Sequence, residues 1–237
     1  MSDQELPAIP CFTCPARRSA LCSAFDDAEI ADLYARAERV QMEAGQYLYE
    51  EGDPNPYVYN VVEGLLMLER LASNGRRQIM AFVYPGDLIG LAPEDHYTVS
   101  AKCLKRAELC RFRIDALEAM FNAYPELERR LRRIATRILS HALDQVFVLG
   151  HKTAAERIAF FLLHLAERQK VAQTGRGVVD LPMTRTDIAD FLGITVETAS
   201  RAISRLKADG LIRMPSLNRV EIPDFNQLKK AADNYKG

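Results

Sequence analysis

No apolar run in this 237-residue chain approaches the roughly 18 to 20 residues of a membrane span, which argues against transmembrane helices. The opening stretch, MSDQELPAIPCFTC, lacks a basic region followed by an apolar core, so no secretion signal is expected and the cytoplasm is the default location. Histidine is scarce. His96, His141, His151 and His164 are scattered without ligand or catalytic spacing, and each is expected to be structural or solvent-exposed. The five cysteines are odd in number, and without an export signal they do not read as a disulfide framework. What remains, 48% apolar and 27% charged residues, is the composition of a chain that buries a core, which excludes disorder and collagen-like structure.

The net charge of −1 conceals an asymmetry. Residues 1–150 carry 17 basic against 22 acidic side chains, a net of −5, whereas residues 151–237 carry 14 against 10, a net of +4. A basic C-terminal third on an acidic body suits a nucleic-acid-binding module. Cys11, Cys14 and Cys22 fall within 12 residues, and Cys103 and Cys110 follow much later. Clustered thiols in such a chain point to metal, cluster or redox chemistry.

Residues 1–25 read as an irregular arm interrupted by Pro7, Pro10 and Pro15, and Asp26–Glu38 as a short amphipathic helix. Between 40 and 113, short β-rich runs (47–49, 57–62, 65–71, 78–84, 97–103 and 107–114) are separated by turns at Gly45, Gly52, Gly64, Gly75 and Gly86. Spacings of 7, 12, 11 and 11 residues between these glycines predict an antiparallel sandwich or barrel, with Asn74-Gly75 the clearest hairpin signal. A short helix over 114–124 is stopped by Pro125. Residues 126–149 then run without Gly or Pro, with Leu127, Leu131, Ile134, Ile138, His141, Gln145 and Val148 spaced 4, 3, 4, 3, 4, 3. That heptad seam fits either a helix packed on its own domain or a dimerising coiled coil; the polar flanks favour the dimer, and His141 and Gln145 weaken it.

In the last module, 153–169 is amphipathic, a helix opens at Thr184-Arg-Thr-Asp187, Gly193 ends it, and a second helix begins near Thr195 or Val196. Residues 211–222 suggest a small hairpin or wing. Two helices joined by a tight glycine turn, with small Ala189 at the crossing, make a helix-turn-helix. The second helix exposes Glu197, Ser200, Arg201 and Lys207. Glutamate can accept from cytosine N4, and arginine can bond guanine O6 and N7 together.

These motifs resemble the Crp/Fnr superfamily of bacterial transcription regulators over nearly the whole chain from Cys11. Gly45–Gly52, Val61–Gly64 and Pro85–Gly90 look like the glycine turns of its cyclic-nucleotide-binding-type β-roll, and Met183–Arg201 is close to its helix-turn-helix signature. The resemblance implies an α+β fold. It would have a cysteine-rich arm (1–25), an antiparallel β-roll (jelly roll) sensor (26–125), a dimerisation helix (126–150) and a winged helix-turn-helix (151–237). Glu197, Ser200 and Arg201 match the Fnr branch and imply a TTGAT-like half-site. The implied contacts to double-stranded DNA come from Thr184, Arg185, Thr195, Val196, Glu197, Thr198, Ser200, Arg201 and Arg205, and the implied homodimer forms through Leu131, Ile134, Ile138, His141, Gln145 and Val148. Ser73, Asn74, Gly75 and Arg76 correspond to a loop that touches RNA polymerase in related activators. Cyclic nucleotide binding is disfavoured, because 89–93 lacks the expected glutamate and 97–100 the phosphate-binding arginine. Cys11, Cys14 and Cys22 resemble the N-terminal ligands of Fnr-type oxygen sensors, which hold a 4Fe–4S cluster with a fourth cysteine, here Cys110 in preference to Cys103. The implied mechanism is a cluster that favours the dimer and is lost to oxygen. A zinc site, a disulfide switch or free thiols are the alternatives at the cysteines, and the alternative function is a cluster-free regulator that answers to a thiol oxidant, to nitric oxide through haem, or only to its own abundance. An iron–sulfur enzyme is not expected, since no substrate motif accompanies the cysteines.

Overall fold

The described part of the N-terminal arm holds short turns, while Pro7 lies outside the described residues. In a computed structural model, which describes residues 9–92, 95–171 and 175–234, Pro10–Phe12 and Leu21–Ala24 form single 3-10 turns. Small side chains let the segment between them pack closely: Ala16 and Ala20 are each 1% exposed, as is Leu21 at the start of the second turn. The chain divides into two compact units, residues 1–70 with 80–139 and residues 71–79 with 140–237.

In the first unit, α1 (Ile30–Tyr34) is followed by β1 (Ala37–Met42), β2 (Tyr47–Tyr49), β3 (Tyr57–Leu71), β4 (Arg77–Val83), β5 (Leu88–Ile89), β6 (Ser100–Arg113) and α2 (Ile114–Glu118), except that residue 71 of β3 and residues 77–79 of β4 belong to the second unit. The strands form one antiparallel sheet ordered β1-β6-β3-β4, with β2 on β6 and β5 on β3, the β-roll expected from the glycine turns. Three expectations are corrected, the first being the runs 97–103 and 107–114, which form the single 14-residue strand β6 because 100–113 pairs with β1, β2 and β3. The helix anticipated over Asp26–Glu38 is confined to five residues, because 37–42 pairs with β6 as a strand. The run 57–62 and the run 65–71 form one 15-residue strand passing through Gly64. Gly64 has φ +94°, the register shifts around it, and an added Cβ would lie 2.4 Å from the Arg106 carbonyl oxygen. The glycine therefore admits a bulge where a turn is expected.

Helix α3 (Pro125–His151) is a single 27-residue helix opened by proline, a residue suited to the first helical position. One core of the first unit joins Leu127 and Ile134 of α3 to the arm (Cys11, Ala20, Cys22) and to Cys110 and Phe112 of β6. A second core holds Tyr49, Tyr59, Leu66, Tyr97, Cys103 and Leu109.

The heptad seam needs correction. Ile134 and Val148 are buried inside the chain, Leu131 is half-buried, and the Gln145 amide donates to the Phe191 carbonyl at 3.0 Å. Of the six positions expected to dimerise, Ile138 and His141 are exposed. The remaining large exposed apolar side chains of α3 are Leu139, Leu143, Val146 and Phe147, between 55% and 68% exposed. The seam spacing marks largely the face that covers the chain's own interior, and the uncovered apolar stripe lies beside it.

In the second unit, α4 (Ala154–Arg168), β7 (Gly177–Asp180), α5 (Arg185–Leu192), α6 (Val196–Ala208), β8 (Arg213–Ser216), β9 (Arg219–Ile222) and α7 (Phe225–Asn234) form a winged helix-turn-helix. The wing is a three-stranded sheet ordered β7-β9-β8. Helix α7, unexpected from the sequence, packs against α4 and buries Phe225 and Leu228 completely. Among the described residues no helix is long and apolar enough to cross a membrane.

Candidate cysteine site and nucleic-acid interface

Antiparallel pairing of β1 with β6 places Arg39 opposite Cys110, and the folded arm brings three more thiols to the same place. Cys11, Cys14, Cys22 and Cys110 all line one small cavity, together with Arg39, Asn60 and apolar side chains such as Leu33, Val62 and Phe112. Cys103 lies elsewhere. It is buried in the second core with its thiol 2.9 Å from the Lys105 carbonyl. All five cysteines are free thiols.

The local chain is built around arginines that the sequence reading passed over. Arg17 folds back over the arm, donating to the Cys22 carbonyl and to the Phe25 carbonyl at 2.6 Å, so it holds the Cys22 turn closed. Arg39 pairs with Glu108. Burial works against the charge of Arg39, but Cys110, Glu108 and the other thiols raise its pKa. Burial pushes the Cys22 thiol from the ordinary 9.0 up to about 12, with Cys14 adding to the rise, and Cys110 up to about 11 in spite of Arg39. Cys11 is also raised, by burial and by Cys14.

The donor set fits a thiolate-ligated group. Among the described residues, no three His, Cys, Asp or Glu side chains are placed to hold a single metal ion. A single zinc ion needs four sulfurs within about 2.3 Å of one point, whereas a cubane spreads its ligands by taking one thiolate at each iron. The four thiols line one cavity, so a group held there would take one sulfur from each. Ligation requires thiolates, so binding releases protons and strengthens as pH rises.

The metal-free protein has its own pH dependence. Because Cys22 and Cys110 ionise later in the folded chain than in the unfolded one, their contribution to stability is fully present below about pH 9. It is lost as pH rises through 11 and 12. The reduced, metal-free chain is expected to keep a level thermal midpoint between pH 6 and 8 and to lose on the order of a few kcal/mol of stability above pH 9. Scanning calorimetry of wild type beside C22A checks this: the alkaline loss should be smaller in the variant.

In the second unit both helices of the helix-turn-helix start on side-chain caps. The Thr184 hydroxyl accepts from the Asp187 N–H at 3.1 Å while Asp187 accepts from the Thr184 N–H at 2.9 Å, a reciprocal capping box. The Thr195 hydroxyl caps α6 by accepting from the Thr198 N–H at 3.2 Å. Gly193 between them adopts φ +61°, ψ +38°, the left-handed conformation that ends a helix abruptly. Arg157 of α4 locks this geometry, donating to the last carbonyl of α5 (Leu192, 2.8 Å) and to Leu149 of α3 (2.7 Å). Burial alone would raise the Asp187 pKa, but bonds from Thr184 and Arg77 hold it below the usual carboxylate range. Arg77 belongs to the same unit and reaches Asp187 at 2.6 Å and Asp190 at 2.7 Å.

Ile188, Ala189, Leu192, Ala199, Ala202, Ile203 and Leu206 bury the inner faces of α5 and α6. Glu197, Ser200, Arg201 and Arg205 lie on the exposed face of α6, and Thr184 and Thr195 are exposed at the two helix starts. Val196, Thr198 and Arg185 are half-buried, with the Arg185 guanidinium 3.1 Å from the Met214 sulfur at the base of the wing. Ser204, exposed one turn beyond Ser200, extends the same stripe and was not anticipated; its i, i+4 spacing from Ser200 is the signal that could have found it. A bond from its own backbone N–H, then one from Thr195, lowers the Glu197 pKa below the ordinary carboxylate value, which leaves it an acceptor. Ser73, Asn74, Gly75 and Arg76 form an exposed turn, with the Arg76 N–H donating to the Asn74 side chain at 3.1 Å. Tyr97, in the segment read as lacking a phosphate-binding arginine, is buried, stacked on Tyr49 with ring centres 3.7 Å apart, and its hydroxyl donates to the Tyr57 carbonyl. Pro93, at the end of the segment read as lacking a glutamate, lies outside the described residues.

Comparison with known proteins agrees with both halves. The family model "Crp-like helix-turn-helix domain" matches residues 156–231, and "Cyclic nucleotide-binding domain" matches residues 39–124. The chain is 37% identical to "Nitrogen fixation regulation protein FixK" of Bradyrhizobium diazoefficiens, covering 85% of each protein. It is 33% identical to "Transcriptional activator protein FnrL" of Cereibacter sphaeroides, covering 100% of this chain and 98% of that one. The solved structure of FixK2 from Bradyrhizobium japonicum superposes with a TM-score of 0.76 at 34% identity, over 82% of this chain and 96% of that one.

Proposed function

The chain belongs to the Crp/Fnr family of transcription regulators, and from that premise we propose that it is an oxygen- or redox-responsive regulator whose signal enters through a 4Fe–4S cluster held by Cys11, Cys14, Cys22 and Cys110. The observation that carries the reading is the cavity lined by all four thiols and not by Cys103. The cluster would supply a redox-labile group whose oxidation by oxygen removes the bond between arm and β-roll. The chain's own part is to keep the thiols dry, to place Arg39 beside Cys110, and to close the Cys22 turn with Arg17.

A second copy of the chain docks along α3 on Ile138, Leu139, Leu143, Val146 and Phe147, a stripe whose exposure calls for a cover. Two α6 helices one DNA turn apart then read a TTGAT-type palindrome. The exposed turn Ser73–Arg76 is available to RNA polymerase in the bound state. A cyclic nucleotide is disfavoured as the effector: residues 97–100 offer no arginine to pair a buried phosphate, and Tyr97 is itself buried against Tyr49. The regulator acts in the cytoplasm, where its DNA is.

The test compares C110S with C103S, both purified without oxygen. C103S is expected to retain the iron and visible absorbance of the wild type, and C110S to lose most of both. The reverse pattern would remove Cys110 from the ligand set.

A further inference from the structure

Helix α3 carries a run of arginines, and one of them faces inward. Arg129 pairs with Glu126 at 2.6 Å, Arg132 with Glu128 at 3.1 Å, and Arg133 with Glu126 at 3.5 Å, all solvent-exposed pairs on the helix itself. Arg130 instead crosses to the arm. Its guanidinium donates to the carbonyls of Ser19 and Ala20, the residues that lead into the turn carrying Cys22. Burial, together with the positive charges of Arg137 and Arg133, lowers its pKa, and its hydrogen-bond partners are backbone carbonyls. Desolvating a guanidinium against neutral acceptors and like charges is unfavourable unless those bonds are made well. The fold nevertheless places it on this loop.

Two other elements grip the same loop from the β-roll side. The Leu21 N–H donates to Asn60 Oδ1 of β3 at 3.4 Å, and Asn60 is itself buried. Ser19 is pressed onto the turn between β4 and β5: a Cβ added to Gly86, at φ +92°, would lie 2.1 Å from Ser19 Oγ. The loop is thus seated on the roll, and beside the apolar packing of Leu127 and Ile134 it is Arg130 that hydrogen-bonds it to α3, the helix that goes on to expose Leu139, Leu143 and Val146.

We propose that Arg130 is a positioning residue that couples the Cys22 loop to helix α3, so that filling the thiol site is transmitted to the dimer face. The coupling to a bound cluster rests on the function proposed above; the latch between loop and helix does not. Arg130 bonds to backbone and not to a thiol, so its removal leaves the ligand set whole.

The experiment uses full-length wild type, R130A and R130K. In reduced, metal-free protein, hydrogen exchange of the amides of residues 19–25 is compared with that of the β3 amides. R130A is expected to exchange about tenfold faster at 19–25 alone, since bonds from a charged donor are lost there, with most of the protection restored in R130K. In protein purified without oxygen, R130A is expected to hold as much iron as wild type, while the gain in dimer affinity that iron confers shrinks about tenfold in sedimentation. Equal exchange at 19–25 in wild type and R130A overturns the latch. An iron-linked dimer gain that survives R130A overturns the coupling. A wild type without iron overturns the cluster and the coupling together, and the exchange comparison still decides the latch. If R130A does not fold, R130Q replaces it with the same expected results.

Discussion

Replacing Arg201 with alanine is expected to abolish the preference for a TTGAT palindrome over unrelated DNA at fixed salt, while leaving nonspecific binding close to wild type. Arg201 stands on the exposed face of α6, one turn after Glu197 and beside Ser200, on a helix whose start is fixed by the Thr195 cap and the left-handed Gly193. A good base contact discriminates by about 1–3 kcal/mol, and a symmetric dimer makes it twice. The specific affinity should therefore fall by roughly two to four orders of magnitude. E197A removes an acceptor that is ionised in the free protein, and it should relax selectivity at a different base pair of the half-site. Competition binding with single-base operator variants checks both. If sequence preference survives both substitutions, α6 is not the reading helix.

Leu143→Glu is expected to hold the chain as a monomer under conditions in which wild type dimerises, with little change in the stability of the monomer. Leu143 is 62% exposed, so the new carboxylate is solvated in the monomer and forced into an apolar contact in the dimer. Burying an unpaired charge costs several kcal/mol, enough to weaken association by roughly a thousandfold or more. Ile134→Ala should behave in the opposite way. Its side chain is 4% exposed within the core that joins α3 to the arm, so truncation should destabilise the fold by about 2–5 kcal/mol and act on dimerisation only through that loss. Analytical ultracentrifugation beside thermal unfolding separates the two effects. A dimeric L143E protein would place the interface elsewhere.

The contrast between Leu143 and Ile134 shows where reading the sequence succeeds and where it stops. A heptad spacing reports that one helix face is apolar, but a single chain cannot say whether that face covers its own core or a neighbour. Here Leu127, Ile134 and Val148 are buried, and the uncovered stripe is offset from them. The helix-turn-helix was legible because its determinants are local: Thr184 with Asp187, Gly193, and Thr195 with Thr198 all act within a few residues. The glycine turns were legible for the same reason, except at Gly64, where a positive φ serves a bulge and two expected strands are one. Strand β1 was masked because 37–42 follows a helical pattern and has its strand character fixed by pairing with β6. The four cysteines could be nominated from their positions. The arginines around them could not, because Arg17 and Arg130 act on backbone carbonyls, Arg17 a few residues along the arm and Arg130 on residues far away in the chain, contacts that impose no periodicity on the sequence.

The proposed function stands or falls on what the four thiols hold. Iron and acid-labile sulfide, measured per chain in wild-type protein purified without oxygen, should come to about four of each, with a visible absorbance that bleaches in air. A colourless chain free of iron and sulfide, isolated under the same conditions and still dimeric on DNA, would contradict the account.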